Sequence, residues 1–219
     1  MKKALLTFLL IVVGSTTIIA QPQIKFGIRA GLNYTNTSVI SEISVAIDHK
    51  YRFSYHTGIV SLVTLNDKIS ISPELLYSSK GYKSPAQANT NPSGDVYVHY
   101  NYLSVPILLN YHLTDKIYLS LGPEFNYMLS AKSKFDSGSI DLFDFWEEHN
   151  FDVNRFDFGI SGGISIFLID QLTISGRYFH GLSSVFKGVQ QNDENGNPLD
   201  EDLKFLNQTF QLSVAYLLK

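Results

Sequence analysis

Two stretches of this chain nearly repeat each other, and that repeat restricts the fold more than any other feature. Asn66-Asp67-Lys68 is followed by Ile69, Ile71, Leu75 and Tyr77, which alternate with Ser70, Ser72, Glu74 and Ser78. Thr114-Asp115-Lys116 is followed by Ile117, Leu119, Leu121, Phe125, Tyr127 and Leu129, which alternate with Tyr118, Ser120, Gly122, Glu124, Asn126 and Ser130. A looser copy begins at Ile169-Asp170-Gln171 and continues through Leu172, Ile174 and Tyr178 against Thr173, Ser175 and Arg177. A period of two sends apolar and polar side chains to opposite faces of a strand. Each tight polar turn also follows another alternating run, so each marks a β-hairpin.

Taken in order, the same pattern predicts strands over about 24–35, 51–65, from 69, 100–113, from 117 to about 130, 156–168, 172–182 and from 207 to the end. Val60 and Leu62 blur the alternation in the second of these. Between them lie long polar segments at 36–50, 81–99, 133–155 and 185–206; the second contains Pro85, Pro92 and Gly94 and reads as a loop. Short turns and long loops therefore alternate strictly. The expected fold is all-β, an eight-stranded antiparallel up-and-down transmembrane β-barrel, with residues 21–219 forming the barrel domain. With the N-terminus in the periplasm, every long loop faces the exterior and strand eight closes against strand one.

The compartment is read from the first twenty residues. Met1-Lys2-Lys3 is basic, Ala4 to Val13 is apolar, and Ser15 to Ala20 is smaller and more polar, which is the layout of a signal peptide cleaved after Ala20. Cleavage removes two lysines and moves the formal charge from −3 to −5. An acidic mature chain argues against a nucleic-acid partner. With no Cys, neither a lipid-modified cysteine nor a disulfide framework is available. No later apolar run is long enough for a transmembrane helix, so insertion into a membrane has to use strands.

Alternation alone does not separate a membrane barrel from a soluble calyx, because both have one apolar face. Charge placement favours the membrane. Lys25, Arg29, Arg52, Glu74, Glu124, Asp157 and Arg177 all fall on the polar face, and the apolar face of the strands carries no charge. A charge at the lipid-facing midplane costs roughly 2–4 kcal/mol, which accounts for the exclusion. The polar face is otherwise mostly Gly, Ser, Asn and Thr, small enough for a narrow interior. The apolar face adds Tyr34, Tyr51, Phe53, Tyr77, Tyr127, Phe156 and Tyr216, several of them near strand ends, as in an interfacial girdle.

The segment Gly27-Ile28-Arg29-Ala30-Gly31-Leu32-Asn33, the two Pro-Glu-x-x-Tyr strands and Tyr102-Leu103-Ser104-Val105-Pro106-Ile107-Leu108-Leu109 resemble the PorT-like outer-membrane β-barrel family of Bacteroidetes. The resemblance covers nearly all of the mature chain. It implies a small barrel in the outer membrane of a Gram-negative envelope and brings no catalytic residues with it. The chain departs from many such barrels by ending Tyr216-Leu217-Leu218-Lys219 rather than on an aromatic residue.

Two groups of residues are candidate sites. Arg29, Glu74, Glu124 and Arg177 all point inward and are expected to form a cross-lumen ionic network, because buried charges need partners. Phe145, Trp146 and Glu147 lie in a long exterior loop; they either contact a partner or glycan or pack over the barrel mouth. His56 and His112 are expected to face inward, and His49, His99 and His149 to lie in or beside loops, without metal-ligand spacing. Residues 191–202 echo a calcium loop only faintly, since Gln191 stands at the first acidic position. No cofactor and no enzymatic activity are expected. The expected partners are outer-membrane lipid and an envelope protein or surface ligand met by the loops. A narrow channel for small solutes and a soluble barrel holding an apolar ligand are the alternatives.

Overall fold

Hydrogen-bonded pairing passes from each long strand to its neighbour in sequence and then closes on itself. The structure, a computed structural model, describes residues 23–41, 49–85, 94–190 and 202–218. The expected signal peptide, residues 1–20, and the loop stretch 191–201 lie outside the described residues. The elements are β1 (Gln23–Ile40), β2 (Arg52–Asn66), β3 (Ile69–Ser84), β4 (Val96–His112), β5 (Ile117–Phe135), β6 (Gly138–Asp141), α1 (Leu142–Glu148), β7 (Phe156–Ile169), β8 (Leu172–Gly181) and β9 (Lys204–Leu217). The short β6 pairs with β5 alone. The other eight strands form an antiparallel barrel, closed where β1 pairs β9 from Gly27↔Leu217 to Ile40↔Lys204.

The sequence repeat has a local cause. In the β2–β3 turn the side-chain Oδ1 of Asn66 accepts from the backbone N–H groups of Lys68 and Ile69, both at 2.9 Å. In the β4–β5 turn the Oγ1 of Thr114 does the same for Lys116 and Ile117, at 3.2 and 3.1 Å. A short side chain that accepts from the backbone two and three residues on sets a tight turn, and so fixes the hairpin register.

That register decides which face meets which medium. Phe26, Ile28, Leu32, Phe53, Ile59, Leu121 and Leu212 each keep more than half of their surface exposed, Phe53 as much as 73%. Their alternates Asn33, Ser70, Ser78, Asn110, Ser161, Ser165 and Thr209 are fully buried in the lumen. A soluble calyx would carry the opposite arrangement, so that alternative is overturned. A continuous apolar wall of this extent belongs in lipid.

The strands are longer at the long-loop end than the sequence suggests. β3 continues through Gly81 to Ser84, and β4 starts at Val96 rather than near Tyr100. Gly81 makes the extension practicable: its φ is +116°, and an added Cβ would run into the Val98 carbonyl oxygen. The 133–155 segment, read as a polar loop, contains the end of β5, β6 and α1. At the other end, Val60 and Leu62 are not irregularities. With Leu76, Ala215 and Leu217 they form a buried apolar plug inside the lumen.

Small inward residues leave room for long ones. A Cβ on Gly31 would come within 2.6 Å of both the His56 ring and Ser213 Cβ, whereas one on the outward Gly176 meets nothing within 4 Å. Gly31→Val is expected to destabilise the barrel by about 1–3 kcal/mol through overpacking, and Gly176→Ala to be tolerated. Urea unfolding in lipid vesicles, read by tryptophan fluorescence and heat-modifiable gel mobility, checks both.

Candidate functional site

β1, β3 and β8 deliver Arg29, Glu74 and Arg177 to one level of the lumen. Arg177 holds Glu74 with both arms of its guanidinium, Nη1 donating to Oε2 at 2.9 Å and Nη2 to Oε1 at 2.8 Å. Arg29 Nη2 stands 3.4 Å from the same Oε1, and its Nη1 donates to Ser213 Oγ at 2.6 Å. The three are almost wholly buried. The void beside Arg29 and Glu74 measures about 10 Å³, the space of about one water. Beside this layer, His56 Nδ1 lies 2.7 Å from Asn33 Oδ1, while Asn33 Nδ2 donates to Ser79 O at 2.9 Å.

Glu124 does not join the arginines. It lies in a second layer nearer the long-loop end, where Lys80 Nζ is 3.1 Å from Glu124 Oε1 and 3.7 Å from Asp157 Oδ2. Asp157 Oδ2 also accepts from Asn207 Nδ2 at 3.0 Å, and the same nitrogen donates to the hydroxyl of Tyr102 at 3.1 Å. The Lys80 ammonium sits 3.5 Å from the centre of the Phe179 ring. The expected four-residue network is divided: Glu74 pairs with both arginines, and Lys80, on the extended β3, is the cation paired with Glu124. Lys80 falls outside the sequence expectation because alternation is followed in that strand only as far as Ser78. Its place in the Ser70-Ser72-Glu74-Leu76-Ser78 alternation was the available signal.

Counted with every group ionised, the first layer holds two cations and one carboxylate, and the second holds one cation and two carboxylates. Each layer carries an excess charge that the other offsets. At a low effective dielectric that mutual attraction is substantial, and neither layer is complete without the other.

The mouth at the long-loop end is closed by aromatic packing. α1 begins where Asp141 Oδ1 accepts from Phe143 N at 3.0 Å, an N-cap that starts the helix beside the barrel rim. Trp146 is buried there, with ring centres 6.2 Å from Tyr100, 5.8 Å from Phe143 and 5.4 Å from Phe186. Of the three residues expected to meet an exterior partner, Trp146 is thus used in the cap. Phe145, stacked 4.2 Å from His149, and Glu147 remain at the surface. His112 is half-buried and contacts Ser70, while His99 lies in β4 rather than in a loop. Among the described residues no group of three or more His, Cys, Asp or Glu is placed to hold a metal ion.

A closed antiparallel barrel with an apolar outer wall and a charge-filled lumen is a transmembrane β-barrel. The chain belongs to the family described as outer membrane protein beta-barrel domain, whose model matches residues 19–187. No curated protein matches the sequence. Solved structures similar to it include Neisserial surface protein A, with a TM-score of 0.49 and 10% identity over 87% of this chain and 96% of that one. Ail of Yersinia pestis, in complex with the heparin analogue sucrose octasulfate, has a TM-score of 0.46 and 11% identity over 90% and 99%. OprG of Pseudomonas aeruginosa has a TM-score of 0.47 and 12% identity over 92% and 99%.

Glu74→Gln leaves Arg29 and Arg177 buried without their carboxylate, and is expected to cost about 3–5 kcal/mol of stability. Ser213→Ala removes only a neutral partner of Arg29 and is expected to cost less, about 1.5–3 kcal/mol. Urea midpoints of the two variants in lipid vesicles should differ accordingly.

Proposed function

We propose that this protein is a sealed outer-membrane barrel of the PorT-like kind, with a structural or binding role at the cell surface or as an accessory to another envelope assembly. The observation that carries this reading is the filling of the lumen among the described residues. From the short-turn end upward come the apolar plug around Leu62 and Leu76, the Arg29–Glu74–Arg177 layer, the Lys80–Glu124–Asp157 layer and the aromatic cap around Trp146. Four successive closures leave the outer wall and the long loops as the surfaces on which partners act. The exposed pair Phe145 and Glu147 offers one such contact to an envelope protein or surface ligand. No catalytic or cofactor chemistry is assigned to the chain.

The topology supports an N-terminus in the periplasm and long loops outside, which requires export through the cleaved segment 1–20. Because the natural sequence has no Cys, single cysteines report orientation cleanly. Ser137→Cys, between β5 and β6, should react with a membrane-impermeant maleimide on intact cells; Asp67→Cys, in the β2–β3 turn, should react only after lysis. N-terminal sequencing of the mature protein should begin at Gln21.

Planar-bilayer recording tests the seal. The purified protein should show no steady open state, and Trp146→Ala should remain closed because the charged layers stay in place. A steady conductance in the natural protein would establish the narrow-channel alternative instead.

A further inference from the structure

Seven charged side chains are almost completely buried among the described residues: Arg29, Arg52, Glu74, Lys80, Glu124, Asp157 and Arg177. Six of them make up the two lumen layers, whose charges balance. Arg52 is left over. It is 6% exposed, and its guanidinium donates from Nη1 to the carbonyls of Lys80 at 2.9 Å and Val98 at 3.2 Å, and from Nη2 to His99 Nδ1 at 2.7 Å. None of these partners is a carboxylate. An arginine only donates, so His99 Nδ1 accepts and its Nε2 carries the proton, leaving a further N–H donor beside the cation.

Arg52 lies where the barrel wall is open. The β2–β3 ladder stops at His56↔Ser78 and is met again only by an isolated bridge between Lys50 and Lys83. In the interval, side chains serve the β3 carbonyls that a β2 backbone would otherwise pair. Ser54 Oγ donates to Ser79 O at 2.6 Å, and Arg52 serves Lys80 O. The parting leaves a groove of about 490 Å³ whose lining includes Arg52, His99, Lys132, Lys134, Tyr55 and Tyr77. Lys132 stands opposite His99, and Lys134 opposite Tyr97, in the β4–β5 ladder. Both lysines are exposed and make no ion pair among the described residues. Asp141, opposite Lys132 in the β5–β6 ladder, turns Oδ1 to the Phe143 N–H, and Asp95 holds Lys83 at 2.5 Å. Among the described residues no carboxylate lines the groove.

We propose that this groove binds the phosphate-bearing headgroup of a lipid in the membrane leaflet at the long-loop end. An oxyanion there would meet a buried guanidinium, two ammonium groups and an imidazole N–H, the donor set that phosphate recognition uses. The lipid source follows from position. Tyr55 and Tyr77, with ring centres 6.1 Å apart, stand below the basic groups, and the exposed Ile59, Leu75 and Leu103 continue down the same strands into the apolar belt. Aromatic rings at the edge of such a belt lie at headgroup depth, where a basic pocket meets lipid phosphate rather than bulk solute. The proposal rests on the membrane-barrel reading and on the outward orientation of the long loops.

The test uses the full-length mature protein in phosphatidylcholine nanodiscs, supplied with monophosphorylated lipid A or its dephosphorylated counterpart, with retained lipid measured by native mass spectrometry. The natural protein should retain the phosphorylated lipid roughly tenfold more strongly, and less so at high salt. Lys132→Gln/Lys134→Gln, at two exposed positions, should fold normally by heat-modifiable mobility and lose most of that preference. Arg52→Gln should lose the preference as well. Equal retention of the two lipids, or a preference unchanged in the double lysine variant, would overturn the site. Binding of inorganic phosphate without selective lipid retention would overturn the lipid assignment. Maleimide labelling at Ser137→Cys decides orientation independently, so loss of lipid preference with correct labelling counts against the groove alone.

Discussion

An eight-stranded barrel encloses a space just wide enough for side chains, and whatever charge enters it is cut off from bulk water. Every other constraint in this molecule follows from that confinement. A buried ion loses several kcal/mol of hydration and regains it only from well-placed partners. The lumen meets the condition with one bidentate Arg177–Glu74 pair, a second arginine on the same carboxylate, and a lysine shared by two acids. The Gly, Ser and Asn positions around them are small because the long side chains need the room. The same confinement leaves the middle of the outer wall apolar: polar groups there have the lumen, and lipid takes the rest.

Charge balance between layers explains why the interior is arranged by height rather than as one network. Two arginines on one glutamate leave an excess cation; two acids on one lysine leave an excess anion. Stacked in one narrow tube, each reduces the electrostatic cost of the other. The apolar plug below and the Trp146 cap above then exclude water from both, which strengthens the ion pairs and closes the lumen among the described residues. Stability and occlusion thus have the same source.

Most of the barrel was legible because two features are local. Alternation needs only neighbouring residues, and the turns of the β2–β3 and β4–β5 hairpins are set by Asn66 and Thr114 within three positions. The inward placement of Arg29, Glu74, Glu124 and Arg177 followed from the same parity. Which carboxylate meets which cation did not, because height in the lumen depends on strand tilt and stagger, which alternation does not encode. Lys80 was lost to a strand boundary: Gly81, Pro85 and Pro92 suggested a break, yet Gly81 holds a positive φ and the strand continues. Trp146 was ambiguous for a different reason. A seven-residue helix has too few turns for its buried side to show in the sequence, so whether the ring faced solvent or the mouth was a tertiary question.

The rule that accounts for the interior also makes its exception informative. Six buried charges pair with one another inside the barrel. Arg52 is also buried, yet among the described residues its partners are two carbonyls and an imidazole, and it sits where β2 and β3 have separated. Were the guanidinium there only to staple the parted strands, a neutral donor would serve the two carbonyls without the cost of burying a cation. The added charge gains its value from an anion, and the neighbouring Lys132 and Lys134 increase the local positive potential instead of relieving it. A barrel that has sealed its lumen with balanced charge therefore keeps its unbalanced charge on the wall, at the depth where a membrane presents phosphate.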